Sequence, residues 1–596
     1  MSSRRALVVA VAAAAAAAAA TAAASLRDAA IATTSPPLYL DGPAWTAAEA
    51  SLALSIAATV PGDVISDLQR AGVIGDPYFE RAWIENRTLW DVSATAWTYT
   101  SAGVPLPPPA APDGATLLLV LDGVKMGARV ALNGVALGDA TNQFLRYVFA
   151  LPPGAVRGAA ADNRVSVAFD ASLPLSGRFM PCSGLWDWAP NSQLVRNDSD
   201  FGPAATFSSG IVGSVYVAAV APATVALLHV VPLVRYLGPY PVGALSDGTH
   251  AGFSVNVTVH VWAPPGGASG SFAVVGDWPG ADASTPVVFS PAGESHVSLT
   301  LAAPASAISL WWPSGLGTQS LFDVNVTWTP AAAAVEAPTA PSAAPAAPAA
   351  AASTAATAAA AAVAATAAAT TAATAAVSAS RRIGFRVAAL VTVNDTNATV
   401  VEESKGADGS GQFGMFLRVN GAALYARGAD LVPMEELEGR QSAGAYATLV
   451  DSAADAHMNA LRIWGGGTYL PQTFYDRCDE RGVLLYHDMI FSGAMGHGIE
   501  SARQPLSAAA NASILAEIAH QVRRLSHHPA IVLYDGANEV IVERSGPSSL
   551  YASLVMSAVA AEELSRRRSP SAPRTRFPMR GAATRRYRAS QRKEYQ

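Results

Sequence analysis

The sequence contains little cysteine and, over most of its length, little basic charge. Only Cys182 and Cys478 occur among 596 residues. They lie far apart and belong to no spaced set of Cys and His residues, which excludes a disulfide framework and a zinc motif. The formal net charge is −6, yet residues 564–596 hold ten Arg, one Lys and one Glu, so the rest of the chain carries about −16. An acidic body argues against nucleic-acid binding.

Apolar residues are abundant, and their arrangement divides the chain. At 596 residues and 51% apolar content, the protein is too apolar for global disorder and long enough for several domains. Short apolar runs separated by turn residues fill residues 37–221, and Asn133-Gly134 between alternating apolar positions is a strong hairpin signal. A second set of strands with the spacing of an immunoglobulin-like sandwich follows it.

The N-terminus resembles a signal peptide. Arg4 and Arg5 precede an apolar, Ala-rich stretch that ends in small residues, so residues 1–25 are interpreted as a signal-peptide-like segment. A chance Ala-rich run, an organellar transit peptide and an uncleaved anchor remain alternatives, and no other membrane segment is predicted. Sequons favour the secretory pathway, with a lysosomal, vacuolar or extracellular destination. They lie at Asn86, Asn197, Asn256, Asn325, Asn394, Asn397 and Asn511.

Two segments are predicted to be disordered. Residues 330–379 are almost entirely Ala, Thr and Pro, and no periodic apolar face would dock a helix there. The segment 565–596 is basic and rich in Arg, Pro and Ser, again without a face that a core would bury. We expect the first to be an insertion and the second a tail.

After residue 413 the pattern changes to alternating helices and strands. Residues 445–458 carry apolar side chains with helical spacing, at Tyr446, Leu449, Val450 and Ala453. A second helix is predicted from Pro471 to Gly482, and a third carries Ile514, Leu515, Ile518, Val522 and Leu525 on one face. The strands between these helices contain NALRIW, VLLYHDMIF and IVLYD. Such repeats predict a parallel sheet, either open or closed into a barrel.

Polar residues follow the ends of these strands. Arg462 and Trp464 end one strand, Asp488 lies near the end of the next, and Asn538 and Glu539 follow the third. Parallel α/β sheets bind ligands at this rim. A Glu after a strand is often only a structural ion-pair partner, and a buried structural Arg is as common as a binding one. His527 and His528 precede Pro529 at a helix end, where we expect them to cap carbonyl groups, so no metal site and no cofactor are predicted.

Nine segments, spread over about residues 37–543 apart from the Ala-rich insertion, carry a specific resemblance. In chain order they read VPGDVISDLQRAGVIGDPY, ARVALNGVALGDATNQFLRYVF, LWDWAP, SGIVGSVYV, LWWPSGLGTQSLFDV, RRIGFR, FLRVNGAALYARGADLVPME, MNALRIWGGGTYLPQTFYDRCDERGVLLYHDMIF and VLYDGANE. In sequence and in order they resemble the segments of the β-mannosidases of glycoside hydrolase family 2. The segment RIWGGG favours the mannosidase branch over the galactosidase and glucuronidase branches.

The resemblance implies a multidomain β plus α/β protein. Its expected parts are a jelly-roll sugar-binding-like domain at 37–221, an immunoglobulin-like β-sandwich at 222–384 and the first half of a (β/α)8 TIM barrel at 385–564. The implied activity is retaining hydrolysis that releases terminal non-reducing β-D-mannose, with β-mannoside oligosaccharides or N-glycan fragments as substrates. An exo-β-glucosaminidase or endo-β-mannosidase of the same family is the alternative enzyme.

The resemblance also assigns roles to individual residues. Glu539 matches the general acid/base, and Asn538 matches the neighbour that binds the sugar 2-hydroxyl. Arg462 and Trp464 match pocket residues. In the first domain, Trp186, Asp187 and Trp188 match a loop that reaches over the barrel and touches the terminal sugar. Packing between domains is the alternative for these three residues and is favoured for Trp188. Asp535 and Ala537 depart from the residues that many relatives carry.

The nucleophile expected of a retaining enzyme is absent from the sequence. The family supplies it as a Glu about three barrel units after the acid/base, but only Glu543, Glu562, Glu563 and Glu594 follow Glu539, and none stands in that setting. We therefore expect the chain as written to be a C-terminally truncated, inactive form. A non-catalytic carbohydrate-binding remnant is the alternative of a different class.

Overall fold

The protein is described by a computed structural model that covers most of the chain. The described residues are 28–91, 94–158, 162–174, 195–198, 202–205, 208–289, 293–331, 376–391, 416–491, 506–538 and 554–563. They form a multidomain, mostly β structure, as predicted. The expected signal segment, the Ala-rich residues 332–375 and the basic tail lie outside the described residues.

The first unit is a sandwich of two antiparallel sheets, with six strands in the order β3-β2-β4-β9-β6-β7 and four in the order β1-β12-β5-β8. Its strands are β1 Leu38–Tyr39, β2 Gly42–Glu49, β3 Leu54–Val60, β4 Thr98–Ser101, β5 Thr116–Leu121, β6 Ala128–Leu132, β7 Val135–Ala140, β8 Tyr147–Ala150, β9 Val165–Phe169, the separate pair β10 Val195–Asp198 and β11 Gly202–Ala205, and β12 Val215–Val220. Two short helices, α1 Val64–Arg70 and α2 Ala82–Asn86, lie between β3 and β4.

The alternation of apolar residues explains how this sandwich forms. Successive side chains of a strand point to opposite faces, and β9 accordingly buries every second residue. The hairpin predicted at Asn133-Gly134 is confirmed: both residues have positive φ, 53° and 84°, and they join β6 to β7. Strand β12 is buried on both faces, because its second face packs on the start of the next unit.

The second unit is a smaller sandwich, with sheets in the order β13-β14-β17 and β16-β15-β18-β19. Its strands are β13 Ala226–Tyr236, β14 Phe253–Ala263, β15 Ala268–Gly276, β16 Asp282–Phe289, β17 Gly293–Ala303, β18 Phe322–Pro330 and β19 Val377–Ile383. Strand β19 begins inside the segment predicted to be an insertion, because Val377 is fully buried and pairs with Trp328. The buried residues Val377 and Ile383 place strand β19 in the sheet, although its first residues fall within the Ala-rich segment of the sequence.

The third unit contains the parallel sheet. A small antiparallel sheet, β20 Ala388–Val391, β21 Phe416–Val419 and β22 Ala422–Leu424, leads into four parallel strands, β23 Gly428–Leu431, β24 Ala460–Ile463, β25 Leu484–Asp488 and β26 Ile531–Asp535. The helices are α3 Ala443–Asp455, α4 Gln472–Arg481, α5 Ala508–Leu525 and α6 Ser557–Glu563. The assignment of this unit as the first half of a (β/α)8 barrel and the domain boundaries stay predictions.

The helices follow the sequence signals, with one correction. The side chain of Ser442 accepts a hydrogen bond from the Ala445 amide and caps α3, and Gly482 ends α4 with a φ of 69°. In α5, residues 514, 518, 522 and 525 are buried as predicted, but Leu515 is 41% exposed. One residue turns the helix by about 100°, which moves Leu515 off the apolar face.

Candidate active site

Four parallel strands bring charged side chains to one rim. Asp430 on β23 lies beside Arg462 on β24, and Asp488 at the end of β25 lies beside Asp535 on β26. All four side chains stand near the carboxyl ends of their strands, where α/β proteins place their ligand sites. The sequence predicted this rim from Arg462, Asp488 and the residues that follow β26.

Arg462 is the centre of the hydrogen-bond network. Its Nε and Nη2 donate to the two carboxylate oxygens of Asp488, at 3.1 and 2.7 Å. Its Nη1 donates to Asp430 Oδ1 at 3.2 Å, and Nη2 also donates to Asn538 Oδ1 at 3.0 Å. The guanidinium lies 5.3 Å from the centre of the Tyr486 ring. This planar, forked geometry is one that Lys cannot reproduce.

Asp488 is fully buried and fixes the guanidinium. Its Oδ2 also accepts a hydrogen bond from the Gly465 amide at 3.0 Å. Burial raises the pKa of Asp488 to about 7, with Asp535 adding to the rise and Arg462 opposing it. Gly465 is required for this approach, since a Cβ there would lie 2.2 Å from the Phe491 carbonyl oxygen. The first position of the GGG in RIWGGG is therefore a glycine for a steric reason: a side chain there would collide with the Phe491 carbonyl.

Asn538 is held at the rim from two directions. Its backbone amide donates to the Phe491 carbonyl at 2.9 Å, while its side-chain oxygen accepts from Arg462. Only 4% of Asn538 is exposed. Two hydrogen bonds hold the turn that carries Asn538 against β25. Directly after that strand, the Met489 amide donates to the Asp535 carbonyl at 2.6 Å. Within the strand, the Tyr486 hydroxyl donates to the Asp535 carboxylate. These contacts fix the residue that directly precedes Glu539.

Trp464 lies beside this network but is largely covered. It is 8% exposed, and its indole occupies the space next to Gly466, where a Cβ would lie 2.1 Å from the ring. A small apolar cavity runs alongside it, between Pro433, Tyr446 and Leu470. Stacking of the Trp464 indole on a sugar ring stays a prediction.

The remaining predicted site residues lie outside the described part of the chain. They are Glu539, Trp186 and Asp187. Among the described residues, Arg462 and Asn538 are brought together, while Trp464 lines the neighbouring apolar cavity. Asp430 and Asp488 join the network as residues to which the sequence assigned no role. The position of Asp488 at a strand end was a usable signal. The sequence offered little signal for Asp430, because the four-residue strand β23 is mostly exposed and has no apolar alternation.

A group of possible metal ligands lies elsewhere. Asp476, Asp479 and His528 offer ligand atoms within 4.8 Å of one another. His528 Nδ1 lies 2.6 Å from Asp479 Oδ2, and the other carboxylate oxygen accepts from the Ala530 amide at 2.9 Å. The expectation that His528 caps helix carbonyls through its side chain is therefore wrong. The ring instead joins α4 to the start of β26 through its buried contact with Asp479.

Comparison with known proteins agrees with this architecture. Residues 45–195 match the family described as glycosyl hydrolase 2 galactose-binding domain-like. At the level of fold, 88% of the chain superposes on the crystal structure of a β-D-mannosidase from Dictyoglomus thermophilum, with a TM-score of 0.62 and 20% identity, covering 56% of that chain. The exo-chitosanase CsxA of Amycolatopsis orientalis gives a TM-score of 0.60 at 16% identity over 88% of this chain and 52% of that one.

Sequences similar to this chain include proteins named β-mannosidase. Beta-mannosidase A of Aspergillus terreus is 26% identical over 530 residues, which are 84% of this chain and 50% of the relative. The β-mannosidase of Rattus norvegicus is 23% identical over 553 residues, 86% of this chain and 51% of the relative. The chain thus spans about half the length of these relatives. The resemblance to β-mannosidases that the nine segments predict is confirmed.

Proposed function

We propose that this chain carries the substrate-binding and proton-donating part of a retaining glycoside hydrolase that releases terminal non-reducing β-D-mannose. The relatives named β-mannosidase and the segment RIWGGG support this choice. The chemistry of the substrate sets the requirements: hydrogen bonds must orient one pyranose, and an acid must protonate the leaving oxygen.

The observation that carries the proposal is the hydrogen bond between Arg462 and Asn538. It fixes the residue before Glu539 on the same rim as the Arg462–Asp488 pair, in which Asp488 is fully buried. A site held by such contacts is preorganised, so that little ordering is needed when a sugar binds. Asn538 and Arg462 are the proposed ligands of sugar hydroxyls, with Trp464, Trp186 and Asp187 as further contacts.

Glu539 is the proposed general acid/base. It would give its proton to the glycosidic oxygen as the bond breaks, and later accept a proton from the water that releases the sugar. A retaining reaction also needs a second carboxylate about 5–5.5 Å away, which attacks the anomeric carbon. Glu562 does not serve, because both its oxygens pair with Arg523, at 2.7 and 2.8 Å. We therefore propose binding and protonation for the residues named above, and we assign no nucleophile among the described residues.

The proposed substrates are β-mannoside oligosaccharides or N-glycan fragments, encountered in the secretory pathway, a lysosome or vacuole, or outside the cell. The signal-peptide-like residues 1–25 and the seven sequons support that location. Within the part of the chain that the structure describes, we find no helix with the length and apolarity needed to cross a bilayer.

An exo-β-glucosaminidase is the second candidate. The similarity of fold to the Amycolatopsis orientalis exo-chitosanase favours it. The two activities differ at carbon 2 of the sugar, where mannose carries an axial hydroxyl and glucosamine an equatorial amine. A comparison of ligands that differ only there separates the candidates.

The deciding experiment measures binding, which does not require a nucleophile. We expect the 596-residue protein to bind a mannose-configured lactam more tightly than the glucosamine-configured lactam in isothermal titration calorimetry. The Arg462→Gln variant should bind the mannose ligand at least about tenfold more weakly, because a charge-assisted hydrogen bond contributes roughly 1.5–3 kcal/mol.

Arg481→Gln is the matched control. Arg481 also belongs to the third unit, but it forms a solvent-exposed ion pair with Asp455. We expect its affinity for the lactam to equal that of the wild type. Tighter binding of the glucosamine ligand would favour the second candidate, and an Arg462→Gln variant that bound normally would remove Arg462 from the site.

A further inference from the structure

A small polar cavity lies where the three units meet. Arg146 comes from the first sandwich, His229 and Arg381 from the second, and His520 and Arg524 from helix α5. Asp28 completes the wall. The cavity volume is about 10 Å³, which is room for about one water-sized particle. It lies apart from the rim that holds Arg462.

Three arginines line this space, and two of them have carboxylate partners. Arg146 pairs with Asp122 at 2.5 Å, and Arg524 pairs with Asp28 at 2.8 Å. Within the described residues, Arg381 has no carboxylate at ion-pair distance, and its side chain donates to the Ser380 carbonyl at 2.8 Å. The described groups therefore leave about one positive charge uncompensated beside the cavity.

The two histidines do not change this balance. His229 Nε2 and His520 Nδ1 lie 3.2 Å apart and share a hydrogen bond. Burial and the neighbouring cations hold the pKa of both rings well below the usual range, so both are neutral at physiological pH. For Arg381, burial and then repulsion from Arg146 lower the pKa to about 10.

We propose that the cavity binds one small monovalent inorganic anion, for which chloride is the appropriate probe. The positive charge of the three arginines favours an anion, because these side chains would repel a cation. The single uncompensated charge selects a monovalent ion, and the volume excludes a tetrahedral oxyanion. The bound anion would join Arg146, Arg381 and Arg524, and therefore all three units, independently of any hydrolase chemistry.

The test is a chloride titration of thermal unfolding with the full chain. Chloride replaces gluconate at constant ionic strength, so that general screening stays the same. We expect the midpoint of unfolding of the wild type to rise and then saturate, since an anion that binds only the folded state stabilises it. In Arg381→Gln, the half-maximal effect should need at least about tenfold more chloride.

Arg235→Gln provides the matched control. Arg235 lies on the same sandwich, six residues from His229 along strand β13, and its loss removes the same charge. Its chloride response should equal that of the wild type. If Arg381→Gln fails to fold, Arg381→Lys is used in its place. Lys keeps the positive charge, but its shorter side chain does not extend as far towards the proposed anion.

Crystals soaked in bromide locate the ion directly. An anomalous peak between Arg146, Arg381 and Arg524 in the wild type, absent in the Arg381 variant, is the expected result. The proposal is overturned if this cavity contains no peak. It is equally overturned if the Arg381 and Arg235 variants respond to chloride alike.

Discussion

The ionisation of Asp488 is the residue-scale feature with the clearest measurable consequence. Burial raises the pKa of this carboxyl to about 7, whereas an unfolded Asp titrates near 3.9. The folded state therefore binds the proton more tightly, and this contribution to stability is complete below about pH 4 and is lost as the pH rises towards 7. The Arg462 contact reduces the effect without removing it.

Asp488→Asn should abolish this dependence. We expect the free energy of unfolding of the wild type, relative to the Asn variant, to fall between pH 4 and 7, by about 1.4 kcal/mol for each unit of pKa difference. Urea unfolding at several pH values measures it. Asp455→Asn, at an exposed ion pair, reports the background change. A difference between wild type and Asp488→Asn that stayed constant with pH would contradict the argument.

At the scale of elements, two glycines of neighbouring helices differ in whether the structure can accept a side chain at their position. Gly482 ends α4 in the left-handed conformation, and an added Cβ would lie 2.5 Å from the Ser314 backbone nitrogen. Gly444 stands within α3, is exposed, and has no neighbouring atom within 4 Å of such a Cβ. The same substitution should therefore change stability in opposite directions.

We expect Gly482→Ala to destabilise the protein by at least about 1 kcal/mol, and Gly444→Ala to stabilise it by about 0.4–1 kcal/mol. The first change forces an unfavourable backbone conformation and a backbone contact, while the second reduces the freedom of the unfolded chain. Chemical denaturation of the pair under one set of conditions measures both effects. A destabilising Gly444→Ala would show that α3 is not a regular helix at that position.

At the scale of the whole molecule, a buried ion pair connects the first sandwich to the third unit. Lys125 Nζ lies 2.8 Å from Glu438 Oε1, with side-chain exposures of 1% and 7%. Burial raises the pKa of Glu438, and Lys125 opposes the rise. Removing one partner leaves the other as a buried group without its counter-charge. Removing both partners leaves no buried charged group to compensate.

Lys125→Met should therefore cost about 3–5 kcal/mol, and Lys125→Met combined with Glu438→Met should cost less than the single change. The first unfolding transition in a thermal or denaturant scan gives the comparison. Arg81→Ala breaks an exposed pair with Glu85 and should cost no more than about 0.5 kcal/mol. A double variant less stable than Lys125→Met would contradict the account.

The activity of the chain is a second prediction at this scale. We expect the 596-residue protein to show no measurable turnover of an activated aryl β-mannoside, because none of the glutamates that follow Glu539 matches the sequence setting expected of the family's nucleophile. The assay compares it with Glu539→Gln. Turnover clearly above that variant would show that a nucleophile exists among these residues, and Glu543 would be examined first.

The sequence by itself determined the local elements and the resemblance. Alternating apolar residues specify β9 and β14, Asn133-Gly134 specifies a hairpin, and helical spacing specifies α3 and α5, because these signals depend on neighbours along the chain. The carboxyl ends of the parallel strands could also be predicted as the site, since strand direction alone brings them to one edge.

Only the tertiary structure decided which side chains meet. Arg462 contacts Asp430, Asp488 and Asn538, which lie 32, 26 and 76 residues away in sequence. The Lys125–Glu438 pair is separated by 313 residues. Strand register, close backbone approach at Gly465 and the burial of each carboxylate set these contacts and the resulting pKa shifts. None of these quantities can be obtained from local periodicity, because each depends on how distant segments pack.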